Sequence, residues 1–183
     1  METATTTQTE QTQYLTFHVA GEEHAIGILR VTEIIEYTTM TKVPGAPAWI
    51  RGVINLRGRV VPVVDLAVKF GLPETVITNR TCIVIVEIAL DGEQTVMGIM
   101  TDSVNQVVDF PSGSIEEPPP FGTKMKVEYL QGVGKTGSKF ALILDIDKVL
   151  SAREILAATE TVNDAMEAMN TEAEDLSPLP NQS

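Results

Sequence analysis

Gly52-Val53-Ile54-Asn55-Leu56-Arg57-Gly58-Arg59-Val60-Val61-Pro62-Val63-Val64-Asp65-Leu66 is the stretch that decides how this chain folds. Two apolar runs rich in Val and Ile flank a short tip, Arg57-Gly58-Arg59. β-Branched side chains favour strands, and Gly58 supplies the freedom a tight turn needs. The segment predicts a β-hairpin with two cations at or near its apex. A solvent-facing Arg57 suits the gripping of a partner better than chemistry, because a guanidinium binds carboxylates in a fixed two-pronged geometry.

The same grammar extends in both directions. Tyr14 to Val19 reads as a strand, Gly21-Glu22 as a hairpin turn, and Ala25 to Ile28 and Val31 to Tyr37 as further strands. Pro44 and Pro47 interrupt the pattern, and Ala48-Trp49-Ile50 reads as one short helical turn. Trp49 is expected to plug the core or edge of the first module. After the hairpin, Asp65 to Phe70 predicts a short helix, with Asp65 as N-cap, Gly71 at the C-terminal end and Pro73 beyond. Thr81 to Ile88, Val96 to Met100, Val104 to Phe110 and Lys139 to Leu144 read as strands. Asp91-Gly92 predicts a turn and Pro118-Pro119-Pro120 a loop.

An internal repeat organises these elements. Gly52-Val53 and Asp65-Leu66 recur as Gly132-Val133 and Asp145-Ile146, 80 positions on and without a gap. Ile26-Gly27-Ile28 resembles Met97-Gly98-Ile99 at an offset of 71, and Ile34-Ile35-Glu36-Tyr37 resembles Val107-Val108-Asp109-Phe110 at 73. Two related β-modules follow, about residues 14–76 and 77–150, with strand exchange between them left open. Short strands of this kind close into small barrels because closure removes reactive edges.

The flanks differ. Residues 1–13, rich in Thr and Gln, read as a disordered tail. Ser151-Ala152-Arg153-Glu154 is a capping-box signal. Ile155, Val162, Met166 and Met169 then fall near one helical face, with Glu160, Asp164 and Glu167 elsewhere, which predicts an acidic amphipathic helix over 151–170. That helix either packs on the body or docks elsewhere. Residues 171–183 read as a second disordered tail.

Composition narrows the function. The chain has 183 residues, 43% of them hydrophobic, enough for a real core. Its net charge of −12 repels phosphate backbones and anionic lipid, so nucleic acid is not an expected partner. One cysteine, Cys82, permits no internal disulfide and suits a reducing, cytoplasmic compartment. No apolar run reaches the roughly 18–20 residues of a membrane helix, so direct membrane insertion is not expected.

Candidate chemistry fails on spacing. Gly132-Val133-Gly134-Lys135-Thr136-Gly137 spells a nucleotide-binding motif, but such a motif needs a helix after it, and Lys139 to Leu144 reads as a strand. His18 and His24 fall on adjacent strands without supplementary ligands, so they read as surface or sheet-face residues and no metal is expected. Cys82 lacks a local His and reads as a small buried residue. Asp65 and Asp145 each end a strand before a helical turn, where a capping carboxylate belongs. No catalytic residue and no cofactor is expected; the chain does not read as an enzyme. Glu33, alternating with Val31 and Ile35, could pair with Arg57 within the fold or offer its charge to a partner.

The run Asn55-Leu56-Arg57-Gly58 within its hairpin resembles the signature of the bacterial chemotaxis coupling proteins, the CheW-like family. Tyr14-Leu15-Thr16-Phe17, Ala25-Ile26-Gly27-Ile28, Val31-Thr32-Glu33-Ile34, Pro44 to Ile50, Gly98-Ile99 with Asp102, Tyr129-Leu130-Gln131-Gly132 and Leu144-Asp145-Ile146 fall in the family's order. The resemblance implies a mainly β fold of two intertwined five-stranded SH3-like barrels with short connecting helices. It implies a non-catalytic adaptor between chemoreceptor tips and a histidine autokinase, whose regulatory domain shares the fold. Assembly with other coupling proteins into rings, and association with membrane-bound receptor arrays through partners, belong to the same implication. Arg57 and Glu33 match family positions implicated in receptor contact. A groove involving Ile28, Val31, Val96 and Ile99 would take the receptor's helical hairpin. Gly52 and the first barrel's surface would carry part of the kinase contact. Two alternatives stand beside this: a scaffold for a chemotaxis-like pathway with another output, and a small-ligand-binding β-barrel.

Overall fold

The computed structural model describes residues 13–90, 93–117, 129–136 and 139–150. The tail up to residue 12, the Asp91-Gly92 turn, the Pro118-Pro119-Pro120 loop, the expected 151–170 helix and the 171–183 tail lie outside the described residues.

The fold is mainly β. Among the described residues the strands are β1 (Gln13–Val19), β2 (Glu22–Gly27), β3 (Val31–Glu36), β4 (Ile50–Leu56), β5 (Arg59–Asp65), β6 (Cys82–Leu90), β7 (Glu93–Thr101), β8 (Ser103–Asp109), β9 (Leu130–Thr136) and β10 (Lys139–Leu144). One-turn helices, α1 (Leu66–Lys69) and α2 (Ile146–Val149), follow β5 and β10, and a 3-10 turn at Ile28–Arg30 joins β2 to β3. Two local expectations shift. Val19 pairs with Glu22, so the first hairpin turns on Ala20-Gly21, one residue earlier than predicted. Ala48-Trp49 is a turn rather than a helical segment: Ile50 N–H donates to Pro47 O at 3.0 Å and Ile50 already opens β4. Trp49 O accepts from Asp65 N–H at 2.8 Å and Ile50 pairs with Val64, so the strand ladder takes the groups a helix would have used.

The strands form two five-stranded sheets, ordered β8-β1-β2-β10-β9 and β3-β6-β7-β5-β4. Adding five to each strand number of the first order, and counting round from β10, gives the second. The sequence repeat is therefore a structural repeat, β1–β5 matching β6–β10. Each sheet takes two strands from one repeat and three from the other. The repeats meet at two antiparallel pairs, β1–β8 and β3–β6, and at two parallel seams, Leu142 and Ile143 of β10 with His24 and Ala25 of β2, and Val63 to Asp65 of β5 with Gly98 to Met100 of β7.

Both ladders are open, with β8 and β9 as edges of one sheet and β3 and β4 as edges of the other. Each is bridged at one point by the chain that leaves its own edge strand. Thr41 and Val53 exchange hydrogen bonds of 3.0 and 2.9 Å, and Glu116 and Val133 exchange bonds of 2.9 and 2.8 Å. These bridges explain why both copies carry Gly-Val. A Cβ on Gly52 would lie 2.7 Å from Thr41 O, and one on Gly132 would lie 2.5 Å from Ile115 Cγ2 and 2.9 Å from Glu116 O.

Among the described residues the alternation of side chains across strands builds three larger apolar cores and a small cluster of Val43 and Val53. Ile54, Val61, Val63, Ile83, Ile85 and Met100 pack on one face of the β3–β7 sheet. Tyr14, Ala25, Phe110, Ala141 and Ile143 do the same for the other sheet. A larger shared core takes side chains from both repeats, among them Phe17, Ile26, Val64, Leu66, Val84, Ile99, Leu144 and Ile146. Residues 80 apart play matching parts: Val63 and Ile143 in the small cores, Val64 and Leu144 in the shared one.

The capping carboxylates behave as their spacing predicts, and the two copies differ. Asp65 caps α1 through Ala67 N–H at 3.1 Å; it is fully buried and also accepts from Thr75 N–H at 3.0 Å, Thr75 Oγ1 at 2.8 Å and Arg51 Nη1 at 2.7 Å. It thereby holds the connection between the repeats. At the other end of α1, Gly71 (φ 82°) and Leu72 donate to Val68 O and Ala67 O at 2.9 and 2.8 Å, the pattern of a glycine-terminated helix. Asp145 caps α2 with a long bond of 3.4 Å from Lys148 N–H.

The histidines separate. Phe17 stands opposite His24 and His18 opposite Glu23, so the two imidazoles point to opposite faces and cannot share a metal. His24 departs from the surface expectation. It is buried between Phe17 and Phe70, with ring centroids 6.0 and 5.8 Å away. Its Nδ1 donates to Glu22 O at 3.1 Å, while Nε2 has no partner among the described residues. Burial pulls its pKa down to about 4. Cys82 also departs from expectation, being only partly buried, and its burial pushes the thiol pKa up.

Two predictions follow from these buried groups. Because the unfolded chain takes up a proton near pH 6.5 and folded His24 only near 4, stability falls as pH drops through that window. Urea unfolding should show this group contributing a loss of about 2 kcal/mol from pH 7 to 5, and His24→Phe should flatten the decline over that interval. An equally steep decline in the variant would assign it to other groups. Asp65→Ala strips a buried carboxylate from Arg51 and Thr75 and should cost about 3 kcal/mol in the same measurement.

Candidate partner-binding site

The tip of the β4–β5 hairpin is a two-residue loop in which Arg57 has φ 52° and Gly58 φ 84°. Positive φ at both central residues matches the twist of the flanking strands. Asn55 Oδ1 accepts from Gly58 N–H at 2.8 Å and stiffens the loop, while Leu56 pairs with Arg59 below it. The chain therefore holds Arg57 on a rigid support.

Arg57 reaches across to Glu33 on β3. Nη1 donates to Oε2 at 2.7 Å and Nη2 to Oε1 at 2.9 Å, a two-pronged ion pair. Of the two outcomes the spacing allowed for Glu33, the fold takes internal pairing. The pair joins the hairpin at one edge of the sheet to the strand at the other, so the sheet must curl. Arg57 keeps 69% of its side-chain surface exposed and Glu33 keeps 29%. Two of the five guanidinium N–H donors are engaged with Glu33, and the rest of the group faces outward.

The apolar candidates are spread more widely. Ile28 lies in the 3-10 turn and Val31 opens β3; both are half-buried against the shared core. A bulge between Val31 and Glu33 changes the face, so Ile35 packs on the small core instead. Val96 is half-buried against that small core; Met97 is the residue across β6 from Val31, so Val31 and Val96 lie on opposite faces of the sheet. Ile99 is fully buried in the shared core. Its side chain offers no surface to a partner. Gly52 is also buried, under Met40 and Thr41, so a substitution there acts by displacing that segment.

Sequence reasoning missed Leu29, which is 70% exposed in the 3-10 turn between Ile28 and Arg30. It also missed the ion pair of Arg30 with Asp147, which ties this turn to α2. No pattern signalled either, since the turn interrupts the strand alternation. Among the described residues no group of three His, Cys, Asp or Glu could hold a metal ion. Their helices include none long and apolar enough to cross a membrane. A cavity of about 570 Å³, lined in part by His18, Glu23, Asn105, Asp109 and Lys135, lies on the other sheet, away from Arg57.

The model of the CheW-like domain matches residues 13–154, and these contain both sheets and the Arg57–Glu33 pair. The chain belongs to the CheW-like domain family. It is 36% identical to the chemotaxis protein CheW of Klebsiella aerogenes over 143 residues, covering 78% of this chain and 84% of that one. It is 35% identical to the chemotaxis protein CheW of Bacillus subtilis over 136 residues, covering 74% and 85%. Among solved structures it is similar to the scaffolding protein TtCheW of Thermoanaerobacter tengcongensis. That match has a TM-score of 0.69 and 30% identity, over 80% of this chain and 93% of that one.

In this CheW-like domain the exposed ion pair should contribute little stability. A double-mutant cycle on Arg57→Ala and Glu33→Ala, read by urea unfolding, should give a coupling below about 1 kcal/mol. A coupling several times larger would make the pair a closure element of the fold.

Proposed function

We infer that the protein is a chemotaxis scaffold that couples chemoreceptors to a histidine autokinase. Family membership over nearly the whole described body carries this reading. The scaffold is non-catalytic and cytoplasmic, and it joins membrane-bound arrays through its partners. Its two curled sheets act as SH3-like barrels, a reading supported by the single backbone bridge across each open edge and by the Arg57–Glu33 pair. The kinase's regulatory domain, of the same fold, docks on the surface of the β3–β7 sheet.

The receptor's helical tip binds at the Arg57–Glu33 pair, with Ile28, Val31 and Val96 supplying apolar contact and Ile99 supporting them from the core. Rigid placement favours this assignment. A preformed turn presents an arginine whose geometry is already set, so binding loses little conformational freedom. The pair also presents both signs of charge within one contact, which suits selectivity more than raw affinity. Coupling then requires only that receptor and kinase bind one body, so that each biases the other's conformational equilibrium.

Arg57→Glu should lower co-sedimentation with receptor cytoplasmic fragments and kinase about tenfold, while the melting temperature moves by no more than about 2 °C. The exchange Glu33→Arg with Arg57→Glu restores an internal pair of reversed polarity and should still fail to capture receptor. Full capture by the exchanged variant would confine the pair to a structural role, and undiminished capture by Arg57→Glu would remove Arg57 from the contact.

A further inference from the structure

We propose that the second sheet holds a binding site for a small zwitterion of the α-amino acid class, received between Asp109 and Lys135. The internal repeat locates it. Residues 80 apart are counterparts, and in the first copy Ile54 and Val61 fill the small core of the β3–β7 sheet. The same positions in the second copy hold Gly134 and Ala141. Phe110 takes up part of the lost volume, since a Cβ on Gly134 would lie 2.8 Å from its ring. The ion pair that spans the first sheet has no equivalent either. Gln106 stands at the position of Glu33, by the offset of 73, and Gly137 at that of Arg57. The second sheet instead keeps the cavity of about 570 Å³, lined from both of its edge strands, β8 and β9. That volume is in the range of small-molecule sites.

The charges at this cavity suit a ligand that carries both signs. Asp109 ends β8 and precedes Phe110, and Lys135 follows Gly134 on β9. The contact of Phe110 with Gly134 therefore brings an acid and a base to the two sides of one gap. Among the described residues neither has an ion-pair partner. An α-amino acid presents an ammonium to Asp109 and a carboxylate to Lys135 from a single carbon, each through a charge-assisted hydrogen bond. A ligand of one sign answers one side and leaves the other unpaired, which selects against it.

The rest of the lining favours a polar side chain on that ligand. β8 has a bulge opposite Thr16, whose Oγ1 donates to Gln106 O at 3.0 Å and accepts from Gln106 N–H at 3.2 Å. The bulge sets Asn105 at the cavity, where its Nδ2 reaches over β1 to Glu23 Oε2 at 3.2 Å. Asn105, Glu23 and His18 together offer donors and acceptors for a carboxamide, and half-buried Val108 offers an apolar wall for the methylenes before it. The site lies on the sheet that does not carry Arg57 and Glu33, and it rests on neither the receptor nor the kinase assignment.

Chemical-shift titration of the isotope-labelled full chain, with no partner added, tests this. The probe is L-glutamine; the controls are glutaramate, which lacks the amine, and γ-aminobutyramide, which lacks the carboxylate. Glutamine should shift the amides of residues 105–110 and 133–135 and saturate by about 10 mM. Each control should bind about tenfold more weakly. Asp109→Asn should weaken glutamine about tenfold and leave glutaramate unchanged, and Lys135→Gln should weaken glutamine equally and leave γ-aminobutyramide unchanged. Both side chains are exposed, so each variant should melt within about 2 °C of the unaltered chain. The absence of saturable shifts at these residues overturns the proposal. So does equal affinity for the three probes, or glutamine binding that neither substitution weakens.

Discussion

Two parallel strand pairs, β2 with β10 and β5 with β7, hold this protein together. Each joins strands from different repeats, and each is the seam at which a sheet is completed. The antiparallel pairs β1–β8 and β3–β6 also join the repeats; the parallel pairs add β10–β9 and β5–β4, without which each sheet would stop at three strands and expose another edge. The Arg57–Glu33 pair is positioned from these seams. β5, fixed against β7, carries the hairpin whose tip holds Arg57, and β6, beside β7, fixes β3 and therefore Glu33. The ion pair at the surface is the far end of a ladder that begins at Val63 and Gly98.

The close packing at the seams shows in the glycines. A Cβ on Gly98 would meet Ile83 Cγ2 at 2.8 Å and Val63 Cγ2 at 3.2 Å. Gly52 and Gly132 allow the same closeness at the edges, where the chain crosses back to bridge β4 and β9. The two sheets thus obey one set of spatial rules, while their surfaces diverge. Asp65 holds a buried ion pair with Arg51, and Gln131 stands opposite Arg51 in the second copy. Arg57, too, is confined to the first copy.

Much of this was legible from local pattern. The hairpin, both helix caps and the repeat follow from spacing alone, because turns and caps are decided by a few neighbouring residues. What stayed hidden depends on distant contacts. Nothing in Tyr14 to Ile28 states that its strands pair with β8 and β10 in place of β3 and β5. The bulge at Val31 reverses a face that strict alternation would have kept. Ile99 looks like a candidate groove residue by position and proves to be core, since only the register of β7 between β6 and β5 decides which way it points. His24, polar and next to a turn, gives no sign that Phe70, 46 positions away, will cover it.

The matching strand orders have a consequence for origins. A single repeat of five strands lends two to a neighbour's sheet and keeps three for its own. Two identical copies doing this reciprocally would make a symmetric, strand-swapped pair with the same two sheets and the same shared core. Joining the copies end to end through the 71–81 connection would lock that pair into one chain. Freed from identity, each half could then acquire its own surface. On this view the two different surfaces of one chain descend from an ancestor that had only itself to bind.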